Sequence, residues 1–215
     1  MSAISIIAAA ALAAAIATGV AGAEESALPD TVIWTTYGTG STTYNQAIAI
    51  GSVLKTKAGV NLRLLPGKND ISRLAPVRAG KATFSATGSD SIYAQEAIYA
   101  FGEADWGPQP VRILLQNLGN ACIPILSIAG DLQLSSLADL RGKRVSLVKS
   151  SPAVQKSTEA VLAFAGLSYD DVEAVEVSGY GAAGDALIAG TLDATITSST
   201  ASMNTKIQAG PRGQQ

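Results

Sequence analysis

Short apolar runs rich in β-branched and aromatic residues alternate along the chain with longer stretches of helical spacing, and glycine- or serine-rich breaks separate most of them. In the first half, 31–37, 62–65, 82–87 and 112–116 read as strands. Helices are expected at 44–57, at 70–79 with Gly80 as its stop, and from Gly88-Ser89-Asp90-Ser91 through 100. Pro76 falls inside the second of these, where a missing N–H should kink or shorten it. In the second half, strands are expected at 123–129, 144–148, 173–177 and 192–197, with helices at 135–140 and 182–189 between them. Pro124 marks the first of those strands as an edge or crossing segment. Ser150-Ser151-Pro152 opens a further helix, with serine as N-cap and proline at the first helical position. That helix places Val154, Thr158, Val161, Leu162 and Ala165 on one face, and Gly166 ends it. Strand–helix alternation of this kind is the signature of an α/β fold with mainly parallel sheets. Residues 117–121 separate the halves and read as a hinge.

Residues 1–23 carry no charge and eleven alanines, and the apolar run ends in Ala21-Gly22-Ala23 before Glu24-Glu25. Small residues at 21 and 23 suit signal peptidase, so cleavage after Ala23 and export to a periplasm are expected. A membrane anchor is the rival reading, but an alanine-rich run partitions poorly into a bilayer. The positive n-region is missing, since the first basic residue is Lys55.

Composition removes most enzyme chemistries. There is no histidine and a single cysteine, Cys122, so His-based metal sites, catalytic triads and internal disulfides are excluded. Fifteen basic against 17 acidic residues give a net charge of −2, which offers no field for nucleic acid. Neither a dinucleotide fingerprint nor a phosphate-binding Walker loop is present. No cofactor or metal is expected.

What remains is a set of loops at the carboxyl ends of strands, where open α/β sheets bind ligands. These are Gly38-Thr39-Gly40-Ser41-Thr42-Thr43, Gly88-Ser89-Asp90-Ser91, Ser150-Ser151 and Thr197-Ser198-Ser199. Small hydroxyls and glycines let an oxygen-rich ligand approach the backbone, although the same residues also serve as ordinary turns and caps. The candidate ligand contacts are Thr39, Gly40, Ser41, Thr42, Tyr44, Ser89, Asp90, Ser150 and Ser151, although the residues alone favour Asp90 as an N-cap. Arg141, Lys143 and Arg144 read as a solvated rim, and Asp170-Asp171 as a solvated turn.

The segment Trp34-Thr-Thr-Tyr-Gly-Thr-Gly-Ser-Thr-Thr-Tyr44, with Ala82 to Asp90 and Tyr93-Ala94, resembles the first lobe of TAXI-type solute-binding subunits of TRAP transporters. Ser136-Leu-Ala-Asp-Leu-Arg-Gly-Lys-Arg-Val145 and Gly190-Thr-Leu-Asp-Ala194 are similar to second-lobe segments of type II periplasmic binding proteins. The resemblance implies a two-lobe fold with lobes at 24–117 and 125–215, a hinge crossing at 118–124, and a small polar organic solute, a carboxylate or amino acid, held between them. It also implies a TRAP membrane permease as partner and no enzymatic activity. Lys149-Ser150-Ser151-Pro152 departs from the family's Ser-Gly-Thr loop. The chain is also expected to stop short of the second crossing, leaving the second lobe incomplete. Rival readings are the binding protein of an ATP-driven (ABC) importer, a sensor on the same fold, and an exported hydrolase using Lys149 beside Ser150.

Overall fold

The computed structural model describes residues 28–103, 105–116 and 124–214. The signal segment at 1–23, the hinge at 117–121 and Cys122 lie outside the described residues. The first half forms β1 (Thr31–Tyr37), α1 (Thr42–Ala58), β2 (Asn61–Gly67), α2 (Asp70–Arg78), β3 (Phe84–Ser85) and α3 (Asp90–Glu96). Its sheet has the order β2-β1-β3, all parallel, with Thr31 opposite Asn61 and Tyr37 opposite Gly67. The second half forms β4 (Pro124–Ile128), β5 (Arg144–Leu147), α4 (Pro152–Phe164), β6 (Glu173–Glu176), α5 (Tyr180–Ile188), β7 (Ala194–Ser198) and α6 (Ser202–Gln208). These strands order as β4-β7-β5-β6, with only β4 antiparallel to its neighbour. Pro124 thus opens an edge strand, where a lost ladder donor is tolerated. This is the two-lobe α/β architecture expected from the strand–helix alternation.

Local chemistry explains most boundaries. Ser41 caps α1 by accepting from the Tyr44 N–H, and Gly59 ends it in the left-handed region at φ 72°. Asn69 and Ser72 form a reciprocal capping box at the start of α2. Pro76 sits in the last turn of α2, and its carbonyl accepts from the Lys81 and Ala82 N–H groups, so the helix ends at Arg78 and turns back at once.

Three expectations change. The run 112–116 is no strand: Ile113, Leu114 and Leu115 are about three-quarters exposed, because strand propensity without a partner edge leaves backbone groups unpaired. α3 stops at Glu96, where Ala97 adopts φ 51°, and a separate 3₁₀ turn follows at Tyr99–Phe101. The strand at 82–87 shrinks to Phe84–Ser85, although Thr83 and Ala86 still donate to the Ile33 and Thr35 carbonyls of β1.

Each half has its own core. Leu74, Ala94, Phe101 and Trp106 pack together in the first. In the second, Leu140, Val145, Leu162 and Ala194 fill one face of the sheet, while Leu187, Leu192, Met203 and Ile207 form another cluster. Val148, Val154 and Ile196 close the gap under α4.

Candidate functional site

The carboxyl ends of the two sheets face each other, and direct hydrogen bonds join their loops. Thr42 Oγ1 at the start of α1 lies 2.8 Å from Thr200 Oγ1, just after β7, and 3.4 Å from Ser198 Oγ at the end of β7. The Ser202 hydroxyl donates to the Gly40 carbonyl at 2.8 Å. The loop after β2 docks on the loops after β5 and β6: Asn69 Nδ2 donates to the Ser178 carbonyl at 3.3 Å, and the Ile71 N–H to the Ser150 carbonyl at 3.5 Å. Here the backbones nearly touch, since a Cβ at Gly179 would lie 2.0 Å from the Lys68 carbonyl oxygen.

Beneath these loops lies a buried ionic centre. The Arg73 Nη2 donates to Asp70 Oδ1 at 2.9 Å and to Asp90 Oδ2 at 2.5 Å, and all three side chains are fully shielded from solvent. The guanidinium carbon sits 3.5 Å above the Tyr37 ring, and the Tyr37 hydroxyl and the Gly88 N–H both donate to Asp90 Oδ1. Tyr37 in turn meets Tyr180 of the other half edge-on at 6.5 Å. Asp70 reaches across the cleft, accepting from the Ser151 hydroxyl at 2.9 Å and from the Ala153 N–H at 3.0 Å. It therefore caps α4 from the opposite lobe, where it meets the positive end of the helix dipole. Two carboxylates share one guanidinium, and burial together with the Asp90 charge raises the Asp70 carboxyl above its ordinary range despite the pull of Arg73. Burial likewise pushes the Tyr37 hydroxyl well up, so it stays a donor. Arg73 Nε and Nη1 are buried without a hydrogen-bond partner among the described residues.

Beside this centre is an interlobe cavity of about 320 Å³, lined by Ser89 and Tyr93 from the first half and by Ala153, Lys156, Ser157 and Val161 from α4. The Lys156 ammonium crosses to lie 4.5 Å from the Tyr99 ring centroid and also pairs with Glu159.

The structure brings most residues expected from sequence to this cleft, in unequal roles. Thr39 is exposed and Tyr44 half-buried, Gly40 and Thr42 bridge the lobes, and Ser89 lines the cavity. Ser41 uses its hydroxyl as the α1 cap. Asp90 is not an N-cap: Ser89 holds that position, and the Asp90 carboxylate turns inward to Arg73. Ser151 does not cap α4 with its own side chain, because its hydroxyl bonds Asp70 instead. The Ser150 carbonyl accepts from the Ile71 N–H of the other lobe, and the Lys149 ammonium pairs with Glu176 at 2.7 Å. The residues missed are Asp70, Arg73 and Tyr37 in the centre and Thr200 and Ser202 across it. An acid–base pair three residues apart just after a strand was a readable signal; that a helical arginine would be wholly buried was not.

The basic cluster after Leu140 is no free rim. Asp193 accepts from the Arg144 N–H and Nε at 3.0 Å and from Nη2 at 2.7 Å, and Arg212 joins at 3.1 Å. The Arg144 side-chain bonds hold the Asp193 carboxyl well below the usual range. This network ties β7 to β5, and Arg141 pairs with Asp171 at the surface. Among the described residues no group of three or more acidic or cysteine side chains could hold a metal ion, and no helix is long and apolar enough to cross a membrane.

The sequence profile described as NMT1/THI5 like matches residues 56–213. The chain belongs to that family. The fold is that of type II periplasmic binding proteins. The alkanesulfonate-binding protein SsuA from Xanthomonas axonopodis pv. citri, bound to MOPS, superposes with a TM-score of 0.59 at 19% identity, over 81% of this chain and 56% of that one. An ancestral arginine-binding protein bound to glutamine gives 0.60 at 16% identity, over 87% and 78%. PhnD1 from Prochlorococcus marinus, in complex with methylphosphonate, gives 0.53 at 15%, over 80% and 64%. The chain spans about 56% of the length of the SsuA chain it matches. No curated protein matches it in sequence.

Proposed function

We propose that this NMT1/THI5-like chain is an extracytoplasmic solute-binding protein that captures a small polar organic solute between its lobes, and that it performs no catalysis. The observation that carries this reading is the meeting of the loops after β1 and β2 with those after β5, β6 and β7 across a cleft, beside an open pocket of about 320 Å³. That is where sheets of this type bind ligands, and the volume suits a small organic molecule. Thr39, Gly40, Ser41, Thr42, Tyr44, Ser89, Asp90, Ser150 and Ser151 form the proposed contact set, on lobes at 24–117 and 125–215 joined by a crossing at 118–124. The solute class we favour is a carboxylate or amino acid, because the cleft offers hydroxyls, backbone N–H groups, Lys156 and the Arg73 donors. The named ligands of the related folds, a sulfonate buffer, glutamine and methylphosphonate, are all small polar molecules with ionised groups.

In its finer form the proposal makes the chain a TAXI-type subunit, exported by a signal peptide at 1–23 and serving a TRAP permease. A similar fold occurs in an amino acid ABC transporter substrate-binding protein from Streptococcus pneumoniae, so an ATP-driven importer is the second reading. Native mass spectrometry of protein exported by its own cell tests solute capture directly: a bound small molecule lost on denaturation supports it. No bound mass, together with no thermal shift from carboxylates, amino acids, sulfonates or phosphonates, overturns it. Uptake into vesicles driven by an ion gradient, without ATP, separates the TRAP partner from the ABC one.

A further inference from the structure

The two cleft elements best suited to hold an anion, one from each lobe, are engaged on a single carboxylate of the protein itself. On one side is the N-terminus of the 13-residue helix α4, with the Ser151 hydroxyl and the Ala153 N–H both on Asp70. On the other is Arg73, whose Nη2 donates to the same Asp70 Oδ1 at 2.9 Å. Arg73 is fully buried, yet its Nε and Nη1 have no hydrogen-bond partner among the described residues. Buried guanidinium donors without acceptors are costly, so this centre is short of acceptor oxygens even with Asp70 in place. Ala153, whose N–H is on Asp70, also lines the interlobe pocket together with Ser89, so a solute lying there borders the seat.

We propose that Asp70 is an internal placeholder: its carboxylate fills the anion seat between Arg73 and the α4 N-terminus, and a solute's carboxylate or sulfonate group enters by displacing it. The proposal rests on reading the interlobe cleft as the solute site. Asp70 and Asp90 both take Arg73 Nη2 and leave Nε and Nη1 open, so displacement is favourable where an incoming two- or three-oxygen anion reaches those donors as well. Once the lobes part, Asp70 returns to water, where its charge is solvated. Raising the Asp70 carboxyl above its ordinary range in the closed state fits an occupant held under strain from burial. The device makes the closed form available without solute, and it makes affinity for an anion depend on how firmly Asp70 is seated.

Chemical rescue tests this. Asp70→Ala empties the seat, and sodium formate, acetate or methanesulfonate is titrated at constant ionic strength against a chloride control while Tm is read. The expected result is a saturable rise in Tm of the variant in the millimolar range, shifted to higher anion concentration in wild type, where Asp70 competes for the seat, and lost in Asp70→Ala/Ser151→Ala. Should Asp70→Ala need help to fold, Asp70→Asn, nearly the same shape with no charge, is titrated alongside and is expected to respond in the same direction. A flat response from both variants, including chains that stay unfolded at every anion concentration, overturns the proposal. Solute capture by wild type with flat variants sinks the placeholder alone and leaves the binding reading standing. Rescue of the variants with no capture of any solute by wild type also overturns the placeholder role, and makes Asp70 a lobe latch only.

Discussion

Replacing Arg73 by Met keeps much of the apolar bulk of the side chain but withdraws the one cation between Asp70 and Asp90. Both carboxylates are fully buried, so one of them must take a proton as the variant folds. For a carboxyl with a solution value of ~3.9, that protonation costs about 4 kcal/mol at pH 7, at 1.36 kcal/mol per pH unit. The expected loss of stability at pH 7 is therefore about 4 kcal/mol, which agrees with the ~3–5 kcal/mol typical of removing one partner from a buried pair. At pH 5 the same protonation costs about 1.5 kcal/mol, so the penalty should shrink by up to about 2.7 kcal/mol. The sign follows from the protons: across this window the folded variant holds one more than the unfolded chain, so its stability rises as pH falls. Wild type moves the same way but less, since the raised Asp70 carboxyl is already opposed by Arg73. Urea unfolding of both proteins at pH 5, 6 and 7 reads the effect. A penalty below ~1 kcal/mol at pH 7, or one that does not change between pH 7 and 5, would refute the buried triad as a stabilising unit.

Gly179→Ala should pry the lobes apart at one point. Its φ of 164° is extended backbone open to any residue, so the effect is purely the collision of Cβ with the Lys68 carbonyl, 2.0 Å away. Faster hydrogen exchange at the Ile71 and Ala153 amides checks this, and unchanged protection refutes it. Leu162→Ala, in the core of the second half at 1% exposure, should cost ~2–5 kcal/mol in thermal or urea unfolding with the cleft contacts intact. Asp193→Asn should flatten the acid limb of the stability curve. The depressed Asp193 carboxyl contributes stability that is fully present above the ordinary carboxylate range and is lost progressively as pH falls from that range toward the depressed folded value. Comparing urea midpoints at pH 7 and pH 3 tests this, and a variant that loses as much as wild type on acidification contradicts it.

Much of the fold could be read from the chain because its determinants are local. The 31–37 strand is β-branched and aromatic throughout, Ser41 and Gly59 bracket α1, and Gly166 ends the helix that Pro152 opens. Where the reading failed, a distant partner decided the outcome. Ile113 to Leu115 have strand propensity and no strand beside them. The site was legible only as a set of loops. Ser151 looked like a cap because serine before proline caps helices, but its hydroxyl answers to Asp70, 81 residues away. Nothing local marks Arg73 in the sequence, and only the packing of Tyr37, Asp70 and Asp90 around it makes it the centre of the cleft.

The chemistry of the contacts also bears on whether the lobes can move. Among the described residues every apolar cluster lies within one half, and the bonds that cross the cleft join hydroxyls, amides, carbonyls and the Asp70 carboxylate. A hydrogen bond of this kind contributes only ~0.5–1.5 kcal/mol net, because water takes over its donors and acceptors when it opens. Asp70 adds little to closure for the same reason: its attraction to Arg73 and α4 is offset by its burial. Closed and open arrangements are thus separated by a small difference between compensating terms, whereas an apolar interface of the same extent would hold the lobes shut. In such a near-balance a solute needs to add only a few kcal/mol of differential affinity to decide the population. A polar interface thus suits the proposed clamp, in which a solute enters the closed cleft by outcompeting the Asp70 carboxylate already seated there.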